Sequence, residues 1–142
     1  MALEPSWPDL PRRRPVLALQ ALDPPATRDH AELLAWARLQ GRPTSARTAH
    51  LVIEAAHGAS VAPGDPPHRW SRVRVYEFLR SHLMNHCATR YGEAAPADAA
   101  EVLWTYLSWL HDTGCLDAES DDLSELRQPL YCFGGLDTSG RL

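Results

Sequence analysis

Oily residues return every three to four positions along most of this chain, the period of an α-helix with one face turned inward. Leu33, Trp36, Ala37 and Gln40 fall on one side of a stretch from about Asp29 to Gln40, with Leu34 beside them. Thr27 or Asp29 can cap its start, and Gly41 followed by Pro43 ends it. Ala49, Val52, Ile53 and Ala56 keep the same spacing in a second helix, which opens at Thr44 or Ser45 and ends at Gly58. Its Leu51-Val52-Ile53 run is β-prone and leaves a strand open, whereas the flanking alanines favour helix. A third helix runs from about Ser71 to Tyr91 with Tyr76, Leu79, Leu83 and Cys87 as its stripe, although Arg72 to Val75 alternates like a strand. A fourth opens at Pro96 and stops at Gly114, with Leu103, Tyr106, Leu107 and Leu110 in line. A short last helix is expected from about Ser120 to Arg127, with Pro129 just beyond it. Leu130 to Phe133 then packs on the bundle or forms a short strand.

Helices of these lengths, joined by short Gly/Pro breaks, predict an all-α fold: a single-domain bundle of four to five helices with a Pro-rich N-terminal arm. The expected divisions are an arm at 1–28, the bundle at 29–133 and a flexible tail at 134–142. Six of the twelve prolines lie in the first 25 residues, which argues against helix there. Two readings of the arm stand side by side, an extended piece around Val16 to Leu22 or a disordered tail carrying Arg12, Arg13 and Arg14.

Composition narrows the classes of function. A chain of 142 residues can bury a core without disulfides or metals. The formal charge of -4 argues against general nucleic-acid binding. That charge is unevenly placed: residues 1–91 hold 12 Arg against 8 acids, and residues 92–142 hold 2 Arg against 10. All the basic residues are Arg, a bias expected of a GC-rich bacterial genome. Cys87, Cys115 and Cys132 have no CxxC spacing, so reduced thiols and a cytoplasmic location are expected. The opening MALEPSWPDLPRRRP lacks the apolar stretch of a secretory signal, and no apolar run has membrane-spanning length.

Candidate chemistry is sparse, so no catalytic residue, cofactor or enzymatic activity is expected. His82 and His86 are four apart on the third helix, a spacing that can offer two nitrogens to a metal. The residues between them supply no HExxH general base. Helices one and two, joined through Gly41-Arg42-Pro43, allow a helix-turn-helix reading. The second helix, at about 45–57, would then present Ser45, Arg47, Thr48 and His50 to DNA. The first reading is instead a small non-enzymatic interaction module, an adaptor or accessory protein that binds another protein or itself. Trp7, Trp70, Tyr131 and Phe133 are its candidate contact points, because each lies at a helix edge or in a terminal segment. DNA regulation through helix two is the alternative, and metal binding by His82 and His86 the second alternative.

Overall fold

Asp23 begins the ordered helical part of the molecule by accepting the Ala26 amide at 3.0 Å, with Pro24 and Pro25 as the first two helical residues. Proline fits there because a helix has no partner for its first amides. Helix α1 therefore spans Pro24–Leu39 and starts five residues before the position that its apolar stripe suggests. The computed structural model describes residues 18–58 and 66–142. The expectations for Trp7 and for Arg12 to Arg14 lie outside the described residues.

Helix α2 spans Ala46–His57 and is capped by the Ser45 hydroxyl, which accepts the Thr48 amide at 3.2 Å. Ser71 caps α3, Arg72–Glu77, in the same way. A single π-helical turn, Phe78–His82, carries α3 into α4, Leu83–Tyr91. Gly92 closes α4 with φ +64°, and Glu93 N–H returns to Cys87 O. That left-handed cap suits glycine because a Cβ is disfavoured there. Helix α5 is Ala99–Asp112, and α6 is Leu123–Cys132.

The bundle is all-α; no strand occurs among the described residues. Helix α2 is its central element, packed against α1, α4 and α5. Its Leu51 to Ala56 run is buried without a break, so burial on every side replaced the strand that its β-prone composition left open. Helix α5 is nearly as deep and touches α1, α2 and α6. At the other end of the molecule α6 lies along α3.

The last helix corrects the sequence reading. It continues through Pro129 to Cys132 rather than stopping near Arg127. The proline removes one helical hydrogen bond, but Pro129 and Leu130 are both buried. Residues 134–142, expected as a flexible tail, pack back on the bundle: Leu136 is buried, and Arg42 donates to the carbonyls of Ser139 and Gly140.

Candidate functional site

The aromatic residues divide sharply. Trp70, expected at a contact surface, is 0% exposed. Its indole N–H donates to Pro67 O at 2.9 Å, Phe78 and Tyr106 meet its ring edge-on, and the Arg74 guanidinium lies 4.0 Å from its centroid. A ring so enclosed anchors the core and offers nothing to a partner. Phe133 is 50% exposed and Tyr131 is half-buried.

Phe133 belongs to an apolar groove of about 530 Å³ between α3 and α6. Val73 and Tyr76 form one wall, Pro129, Cys132 and Phe133 the other, with Arg72 and Gln128 at the rim. The rings of Tyr76 and Phe133 meet edge-on at 5.1 Å. Val73 is 69% exposed and Tyr76 40%, so the groove places three large apolar side chains in water. Sequence periodicity placed Tyr76 on the inward stripe of helix three; it lines the groove beside α6 and stays 40% exposed.

The four side chains considered for DNA all have partners inside the fold. Ser45 caps α2; Arg47 Nη2 donates to both Glu93 carboxylate oxygens at 2.9 Å; Thr48 donates to Asp98 at 2.8 Å; His50 bonds Gln20 O at 2.9 Å. Burial lowers the His50 pKa, with the nearby Glu54 charge opposing the shift. A recognition helix needs one protruding face, and α2 is the most enclosed helix of the bundle.

The two histidines of the metal alternative each have an acceptor on α2. His82 Nε2 donates to Ala55 O at 3.0 Å, whereas His86 Nε2 meets Glu54 Oε1 at 2.9 Å. Both imidazoles are therefore ties from the long third helix to α2. Glu54 is the hub of a polar cluster: the Tyr91 hydroxyl donates to it at 3.0 Å, and Arg90 stands 3.4 Å away.

A different set of ligand-type residues does come together. Asp29 in α1, His57 at the end of α2 and His68 before α3 direct their side chains to one point. Asp29 Oδ2 lies 3.0 Å from His57 Nε2 and 2.6 Å from His68 Nε2. The carboxylate is buried, which alone would raise its pKa, but hydrogen bonds and charge from the two imidazoles hold it well below the usual carboxylate range. The three residues stand 28 and 11 positions apart in sequence, so no local spacing marks them.

The Cys87 thiol is unlike an activated nucleophile. Cys87 is buried, and burial, aided by the Glu93 and Glu54 charges, pushes its pKa up. Cys115 and Cys132 are exposed. No helix among the described residues is long and apolar enough to cross a membrane.

Among the described residues, fold and surface thus define an all-α helical bundle with a histidine–aspartate cluster around the buried Asp29 and an open apolar groove. Comparison of the chain with protein-family models, with curated proteins and with solved structures finds no match.

Proposed function

We propose that this protein is a non-enzymatic interaction module whose partner docks in the groove between α3 and α6. The observation that carries the reading is the joint exposure of Val73, Tyr76 and Phe133 around one concavity. Large apolar side chains gathered in this way cost solvation free energy unless something covers them. Rigid aromatic rings in a pocket are also the commonest energetic anchors of an interface.

The occupant is a segment of another protein that presents aliphatic or aromatic side chains beside a carboxylate. Arg72 supplies the charge argument: it stands exposed at the rim, and its guanidinium has no acidic partner among the described residues. A second copy docked groove to groove is a poorer fit. It would set one concave surface against another and bring a second Arg72 to the same place.

Peptide selection on the purified protein tests this. Selected peptides are expected to combine apolar residues with Asp or Glu, and to lose binding to a Val73→Asp, Phe133→Asp double variant whose circular dichroism is unchanged. Peptides that bind the double variant as well as the parent, or a selection that yields none, would overturn the proposal. Sedimentation of the parent chain as a dimer that the double variant abolishes would assign the groove to self-association instead.

A further inference from the structure

We propose that Asp29, His57 and His68 form a site for one divalent first-row transition ion, held by two imidazole nitrogens and one carboxylate oxygen. Asp29 Oδ2, His57 Nε2 and His68 Nε2 all lie within 4.8 Å of one another, the only such convergence of three ligand-type side chains among the described residues. The donor set has a definite preference. Imidazole nitrogen with a carboxylate suits zinc and its neighbours in the first transition row, and the absence of thiolate disfavours softer ions.

The three ligand atoms are near enough for one ion after local adjustment. Zinc binds such atoms at about 2.0–2.2 Å, which places ligand atoms about 3–3.5 Å from one another. The two imidazole–carboxylate separations are 3.0 and 2.6 Å; both open to about 3–3.5 Å as the ion enters, and the Nε2 protons now shared with Asp29 leave to solvent or move to Nδ1. Asp29 is 4% exposed, and its charge meets two imidazoles aimed at the same oxygen. A divalent cation would supply full opposite charge at that point.

The surroundings fit a site rather than a surface accident. The Trp109 ring meets the His68 ring edge-on at 6.4 Å, and the His57 ring meets it at 6.0 Å. These contacts limit how the imidazoles can turn. The His57 side chain is nearly enclosed, while that of His68 is 30% exposed and leaves an approach from solvent. An ion here would tie the N-terminal half of α1 to the end of α2 and to the segment entering α3.

The test uses the full chain stripped with a chelator and titrated with Zn²⁺, and separately with Co²⁺ read by its visible absorption. One ion per chain is expected. His68→Gln keeps an amide that can still donate to Asp29, so the fold should survive while affinity drops. The expected loss is about 100-fold or more, the upper end of what losing even an outer-shell partner does. His86→Gln, which removes an imidazole from the Glu54 cluster, should leave affinity unchanged. Failure of the parent chain to take up one ion overturns the proposal. So does equal binding by parent and His68→Gln, or loss of binding in His86→Gln instead. Should His68→Gln fail to fold by circular dichroism, zinc X-ray absorption on the parent decides. Two imidazoles with oxygen support the site, and a shell with fewer than two imidazoles overturns it.

Discussion

Asp29 is a carboxylate placed where burial should neutralise it, and two imidazoles keep it ionised. Its effect on stability has a definite sign with pH. The folded pKa lies below the unfolded value of about 3.9, so the contribution is full above that value and is lost as pH falls below it. Asp29→Ala should cost about 1–3 kcal/mol near neutrality, because both imidazoles lose their acceptor inside the fold. Urea unfolding at a series of pH values checks this. The gap between parent and variant should hold from neutrality down to about pH 4 and narrow below it. A gap that stays constant into strong acid would mean that the charge of Asp29 is not what the fold uses.

At the scale of the element, helices α1, α2 and α3 owe their starts to side-chain caps, and the bundle owes its depth to packing. Ser45 illustrates the first: its hydroxyl serves the Thr48 amide, and α2 behind it is the most enclosed helix. Ser45→Ala should destabilise the protein by about 0.5–2 kcal/mol, with a helical circular dichroism spectrum like the parent's and a lower Tm. Because α2 is central to the bundle, the loss should appear in one cooperative transition rather than as local fraying. The π-helical turn at Phe78–His82 illustrates the second. It lies inside a continuous rod, and the extra residue in that turn accompanies the bond from His82 to Ala55 O on α2.

For the whole molecule, the longest ties run through Arg42. It donates to the Thr105 hydroxyl on α5 at 2.9 Å and to carbonyls of Ser139 and Gly140, and it lies 4.3 Å from the centre of the Trp104 ring. Arg127 stacks on the same ring, also at 4.3 Å. Gly140 is the position that allows this closure. Its φ is +79°, and a Cβ there would meet Trp104 at 2.3 Å. Gly140→Ala should therefore cost about 1–3 kcal/mol from backbone strain alone. It should also raise amide hydrogen exchange in residues 136–142, while exchange in α2 keeps its order among the helices. Unchanged exchange at the C-terminus would show that the strap is not held as described.

Periodicity and punctuation in the sequence were enough to determine that the chain is a helical bundle and where most helices lie. They act locally: a stripe at helical spacing, a Ser before it and a glycine after it need no knowledge of the rest of the fold. The same local signals misjudged Pro24, Pro25 and Pro129, because a proline's effect depends on whether its missing amide was needed and on what its ring packs against. Tertiary structure alone decided that Trp70 is core, that His82 and His86 serve separate acceptors, and that Phe133 joins Val73 and Tyr76 in one groove. It also decided that Asp29, His57 and His68 meet. Those residues come from three segments with no shared spacing, and only the packing of α1 on α2, with the entry to α3 beside them, sets their side chains on one point.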